Sequence, residues 1–261
     1  MLKIGVFDSG LGGLTVVKAL QEVIKGAELF YIADTKNAPY GEKTSEQILQ
    51  FSLDITQHFI EIHQIDVLIV ACNTATSAAI KTLRESYPKL IIIGTEPGIK
   101  PAIEQTKSGN IGVLATPATL QGDKYQQLVN TLFMQKDITL FEQACPGLVE
   151  QIEKGETETL KTKEMLQAWL QPMKENAVDT IVLGCTHYPL ASKIIKELME
   201  EEVNLIHTGE AIAKHLLSLG EKEGHINEGG LEITLHTTDK IDLESVKNIL
   251  EGIESIKVIT L

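Results

Sequence analysis

Residues 185–187 read Cys-Thr-His and follow a short apolar run, IVLG, at 181–184. A second thiol, Cys72, follows DVLIVA at 66–71 and precedes Asn73 and Thr74. Each run has the length and composition of a buried strand, and each thiol is followed by a helical pattern, NTATSAAIKTL at 73–83 and THYPLASKII at 186–195. Ligands of open α/β sheets bind beyond the carboxyl ends of the strands, where both thiols fall. A free cysteine titrates near ~8.5, and a helix N-terminus lowers that value, so such a thiol can take or give a proton near neutrality. Two of them on opposite sides of a carbon acid suffice to invert it: one removes the proton from one face while the other delivers a proton to the opposite face. That chemistry needs neither a metal nor an organic cofactor.

Other side chains could serve the pair. His187 could pass a proton to or from Cys185, and Asp8, at the end of the first apolar run, could do so for Cys72. Each has a plainer reading as well. A cysteine after a strand is often a small packing residue, His187 could cap a helix, and Asp8 could cap the helix in GLGGLTVVKAL. Matched placement of the two thiols shifts the balance toward chemistry. Cys145 has no comparable setting and reads as structural.

The matching extends along the chain. IDVLIVACNT at 65–74 aligns with VDTIVLGCTH at 178–187, and KIGVFDSG at 3–10 aligns with NIGVLATP at 110–117. The offsets are similar but unequal, which suggests two related α/β lobes rather than a tandem array. Apolar runs at 2–7, 28–32, 66–71, 90–94, 111–115, 180–184 and 203–206 alternate with helical patterns. That alternation implies mainly parallel sheets with helices on both faces. In TSEQILQFSLDITQHFIEI at 44–62, Thr44 and Gln47 have the spacing of a capping box. Turn-rich segments at 94–102 and 207–213 are the expected crossovers, giving lobe one as 1–95 plus 209–261 and lobe two as 96–208. The tail, with strand-like runs at 231–238 and 255–261, needs a sheet to join. The expected site lies in the cleft between the lobes.

A length of 261 residues accommodates two such lobes. Net charge is −13 with no Lys/Arg cluster, so nucleic acid and anionic membrane are poor partners. No apolar run reaches the ~18–20 residues of a bilayer span. Three sparse cysteines and the lack of a signal-type start suggest a reducing cytoplasm. DSGLGGLT at 8–15 carries Thr15 where a dinucleotide fingerprint needs its third glycine. Its N–H groups could instead receive a small carboxylate. NAPYG at 37–41 reads as a turn whose Tyr40 and Gly41 could close over a small ligand.

Four blocks in order, IGVFDSGLGGLTV (4–16), IADTKNAPYGEKT (32–44), IVACNTATS (69–77) and VLGCTHYPL (182–190), resemble the aspartate/glutamate racemase superfamily. The DSGLGG and PYG blocks point to the glutamate racemases within it. Weaker likeness covers GTEPGIKPA, CPGLVEQIEKGE and HTGEAIA, and the C-terminal segment matches poorly. The resemblance implies a cofactor-independent racemase interconverting L- and D-glutamate, the latter for bacterial peptidoglycan. It implies two lobes related by a pseudo-twofold, and a homodimer. By that likeness Cys72 and Cys185 are the acid/base thiols, assisted by Asp8 and His187, with Glu153 as a further acid. Asp8, Ser9, Tyr40, Gly41, Asn73, Thr74, Thr116, Thr119, Thr186 and His187 would hold the substrate. Relatives with an N-terminal extension need a cell-wall precursor as activator; this chain starts at its first strand, so none is expected. The alternatives are racemisation of aspartate or a hydantoin, and a non-catalytic two-lobed binding protein.

Overall fold

The structure is a computed structural model that describes residues 1–133, 138–200, 202–250 and 256–260. It divides into two compact units, Met1–Thr95 with Gly209–Leu261, and Glu96–Thr208. The chain first forms β1 (Leu2–Asp8), α1 (Leu14–Val23), β2 (Ala27–Ala33), α2 (Ser45–His58), β3 (Val67–Val70), α3 (Asn73–Ser86) and β4 (Ile91–Gly94). The second unit follows with α4 (Ile99–Gln105), β5 (Asn110–Ala115), α5 (Pro117–Gln121), α6 (Asp123–Phe133), β6 (Thr139–Ala144) and α7 (Leu148–Glu153). It ends with α8 (Leu160–Glu175), β7 (Thr180–Gly184), α9 (Ser192–Met199) and β8 (Asn204–Ile206). The chain then adds α10 (Gly209–Lys222), β9 (Leu231–Thr237), α11 (Leu243–Ile249) and β10 (Ile256–Thr260).

The first unit is built on six parallel strands in the order β10-β9-β2-β1-β3-β4. Both faces are buried, so its central strands are apolar at successive positions rather than at alternate ones. Ile4 and Val6 face the layer of α1 and α10, while Phe7 faces that of α2 and α3. Each such side chain contributes roughly 1.5–3 kcal/mol when fully buried. Helix α2 begins with the expected box: Gln47 N–H donates to Thr44 Oγ1 at 3.3 Å, and Thr44 N–H to Gln47 Oε1 at 3.0 Å. The tail joins this sheet through β9, which pairs with β2.

The second unit has four parallel strands in the order β6-β5-β7-β8, the same arrangement as β2-β1-β3-β4. The sequence repeat is also in register. Ile4 pairs with Val67 and Phe7 with Val70 in the first sheet; Ile111 pairs with Thr180 and Leu114 with Leu183 in the second. Each pair is the aligned counterpart of the other. The repeated aspartates anchor the strand starts. Asp66 accepts from Lys3 N–H at 2.8 Å, and Asp179 accepts from Lys107 and Ser108 N–H at 2.7 Å each.

Two expectations are corrected. Strand β6 was not among the apolar runs, because among the described residues it pairs with β5 alone and is half-exposed along its length. After Cys185 the chain makes a 3-10 turn, Tyr188–Ala191, with Pro189 in its first turn; the α-helix begins only at Ser192.

Candidate active site

In the first unit, Cys72 lies two residues past β3 and is the N-cap of α3. The Ala75 N–H points at its sulfur, 3.5 Å away, an orientation that favours negative charge there. Ser9 Oγ is 3.9 Å from the same sulfur. Cys72, Ser9, Asn73 and Thr74 are all buried. The Asn73 amide nitrogen is buried without a partner among the described residues, so a bound acceptor would satisfy it.

Asp8 ends β1 and is fully buried. One carboxylate oxygen accepts from Gly10 N–H at 3.2 Å and Gly13 N–H at 3.0 Å. This corrects the expectation that the glycine loop offers these N–H groups to a ligand, since the chain's own aspartate takes them. The loop is tight around it. A Cβ at Gly13 would lie 2.6 Å from the Asp8 Cβ and 2.7 Å from the Tyr31 hydroxyl, which itself donates to Gly10 O at 2.6 Å.

Tyr40 opens a 3-10 turn, Tyr40–Glu42, that packs on α3; Gly41 is its second residue. The Tyr40 ring is buried in the same apolar cluster as Cys72, and its hydroxyl donates to Asp34 Oδ2 at 2.5 Å. Burial first, and then the Asp34 carboxylate, push its pKa far above the ordinary phenol value, so it stays a donor.

In the second unit, Cys185 directly follows β7. Its sulfur lies 3.8 Å from His187 Nδ1, and His187 Nε2 lies 2.5 Å from Glu153 Oε1. An ionised Glu153 accepts from Nε2–H, which leaves Nδ1 of a neutral imidazole as an acceptor facing the thiol. His187 thus makes no side-chain helix cap, and its ring is held by Glu153 instead. Thr186 is buried beside them. Thr116, aligned with Ser9, caps α5 by accepting from Thr119 N–H at 3.2 Å, and the two threonine hydroxyls are 2.9 Å apart.

Cys145 has a setting closer to Cys185 than the sequence suggested. It follows β6, shares an apolar cluster with Cys185, and its carbonyl accepts from the Tyr188 hydroxyl at 3.4 Å. Burial, and then the charge of Cys185, raise its thiol well above the usual range. Asp34 was the residue passed over. Its sign in the sequence was an isolated aspartate straight after an apolar run, the position Asp8 also occupies.

Two parallel α/β sheets of common order and register, each leading into a thiol set among buried polar groups, define the class. The chain belongs to the Asp/Glu/hydantoin racemase family, whose model matches residues 4–216. It is 66% identical over 259 residues to a glutamate racemase from Sulfurovum sp. strain NBC37-1, covering 99% of this chain and 98% of that one. It also resembles the crystal structure of a glutamate racemase isoform from Bacillus anthracis, at 31% identity and a TM-score of 0.86, over 100% of this chain and 97% of that one. A further likeness is to the Francisella tularensis glutamate racemase crystallised with D-glutamate, at 26% identity and a TM-score of 0.84, over 100% and 97% of the two chains.

Proposed function

We propose that this chain interconverts L- and D-glutamate by a two-thiol proton transfer, in the cytoplasm and as a homodimer, supplying D-glutamate for peptidoglycan. The observation that carries the mechanism is the shared register, which sets Cys72 and Cys185 at equivalent strand ends with polar groups beside each. The choice of glutamate rests on the likeness to glutamate racemases.

In this reading one cysteine enters as thiolate and the other as thiol. The Cα–H bond breaks as S–H forms on one side, and S–H breaks as a new Cα–H forms on the other. An amino acid α-proton is far less acidic than a thiol, so fixed donors must stabilise the developing negative charge. The buried Asn73 amide nitrogen suits that task, with Ser9, Thr74, Thr116, Thr119 and Thr186 as further substrate contacts. After one turnover the thiols have exchanged states, so the pair titrates as a coupled system. His187, backed by Glu153, moves the proton at Cys185; Asp8, oriented by its loop, serves Cys72.

The test is glutamate turnover in deuterium oxide, followed by circular dichroism and proton NMR. Both enantiomers should gain α-deuterium, and Cys72→Ala and Cys185→Ala should each abolish racemisation. Full activity lacking either sulfur refutes the mechanism, and turnover of aspartate without glutamate refutes the substrate.

Among the described residues no helix is long and apolar enough to cross a membrane.

A further inference from the structure

We infer that Asp34 is a positioning residue for the substrate loop: a buried carboxylate that fixes Tyr40, and with it the Tyr40–Gly41 backbone, using Thr238 of the C-terminal segment as a brace. The inference rests on the reading above that Tyr40 and Gly41 hold the substrate.

Asp34 follows β2 directly, is 1% exposed, and donates its N–H to Asp8 O at 3.0 Å, which ties it to the end of β1. Both of its carboxylate oxygens are taken. Oδ1 accepts from Thr238 Oγ1 at 2.9 Å and from Asn37 Nδ2 at 3.1 Å; Oδ2 accepts from Asn37 Nδ2 at 3.0 Å and from the Tyr40 hydroxyl at 2.5 Å. A carboxylate has roughly four lone-pair sites, so this one has little left with which to meet a ligand or move a proton. It acts through other groups.

Its partners are neutral. A carboxylate buried among neutral donors is a poor way to stabilise a fold, because desolvation offsets much of what the hydrogen bonds return. It is a good way to fix where those donors sit, since each is aimed at one atom. Tyr40 is held most closely, and the phenol–carboxylate distance is that of a charge-assisted bond. The ring is packed with Cys72, and both Cys72 and Asp8 lie near enough to act on it electrostatically. A shift of the ring would carry the Tyr40–Gly41 backbone with it.

The brace comes from the part of the chain beyond the family match, which ends at residue 216. Besides donating to Asp34, Thr238 accepts from Lys36 N–H at 3.0 Å. The Thr35 and Thr237 hydroxyls meet at 2.9 Å, and Asp239 N–H donates to Thr35 Oγ1 at 3.0 Å. The start of the substrate loop is thus stitched to the end of β9.

The experiment measures KM and kcat for both enantiomers of glutamate, with thermal melting, in wild type, Tyr40→Phe, Thr238→Ala, Asp34→Asn and Asp34→Ala. KM should rise about tenfold in Tyr40→Phe and Asp34→Ala, the loss of one charge-assisted hydrogen bond. It should rise less in Asp34→Asn, whose amide oxygen still accepts from Tyr40, and about threefold in Thr238→Ala. A merely structural role would lower the melting temperature or the active fraction and leave KM unmoved. If Asp34→Ala does not fold, the two single-hydroxyl deletions decide. Unchanged KM in both overturns the role of Asp34, while a wild type that does not racemise glutamate overturns the functional reading instead.

Discussion

Replacing Glu153 by Gln tests the relay behind Cys185 at its far end, leaving the thiol and the imidazole in place. In the proposed relay Cys185 gives its proton to His187, forming an imidazolium whose Nε2 lies 2.5 Å from Glu153 Oε1. Charges centred about 4 Å apart attract by about 4 kcal/mol at an effective dielectric of about 20. His187 is 2% exposed but the Glu153 side chain is 26% exposed, so solvent screens part of that attraction. Halving it for screening, and allowing the glutamine an ordinary hydrogen bond worth about 1 kcal/mol, leaves about 1 kcal/mol. That corresponds to a five- to tenfold fall in kcat/KM, or about one decade at most. Enantiomers have equal free energies in water, so the fall must be the same in both directions. The direction-specific sign is the primary deuterium isotope effect, which should grow for the enantiomer whose proton Cys185 removes. Loss of the carboxylate also disfavours the imidazolium, so the pH limb governed by His187 should move to lower pH. Circular dichroism at several pH values, with α-deuterated glutamate, supplies every reading. A folded Glu153→Gln protein with wild-type kcat/KM and an unmoved pH profile refutes the relay.

The remaining predictions concern a thiol and a carboxylate away from the reacting atom. Cys145, 1% exposed and pushed up by burial, should react with iodoacetamide more slowly than Cys72 or Cys185 in the native protein, as peptide mass spectrometry would show; equal labelling contradicts the assignment. The Cys145→Ser variant should keep its racemase activity. For Asp179, burial raises the pKa, but the Thr106 hydroxyl and the Ser108 and Lys107 N–H groups outweigh it and hold the carboxyl at about 2. A depressed folded value stabilises the protein above the unfolded value of about 3.9 and ceases to do so as pH falls through about 2. Urea midpoints of wild type should therefore exceed those of Asp179→Asn near neutrality, with the gap closing between about pH 4 and pH 2; a constant gap counts against it.

The thiol-bearing strands were legible because a strand buried on both faces writes itself as an unbroken apolar run. VLIV before Cys72 and TIVLG before Cys185 needed no neighbour to be recognised. The repeat implied two related lobes, and the structure pairs its aligned residues in the same register in both sheets, a pairing the sequence alone did not supply. What escaped depends on contacts distant in sequence. Strand β6, Thr139–Ala144, reads as mixed polarity because, among the described residues, β5 alone pairs with it. Cys145 could not be placed without that strand. The use of Asp34 requires Thr238, a partner 204 residues away. The glycine loop misled for a local reason: Asp8, two residues before Gly10, reaches the N–H groups that a ligand would otherwise meet.

The interrupted first unit has a consequence for synthesis. Residues 96–208 are contiguous and contain all four strands of their sheet, whereas the larger sheet waits for β9 and β10, which follow that unit in the chain. On the ribosome the inserted unit is therefore complete while β2 still shows an unpaired edge, which β9, made later, covers. A C-terminal truncation or fusion acts on that last, slow pairing between distant segments. Its damage should appear as aggregation of newly made chains before it appears as weaker catalysis in those that survive.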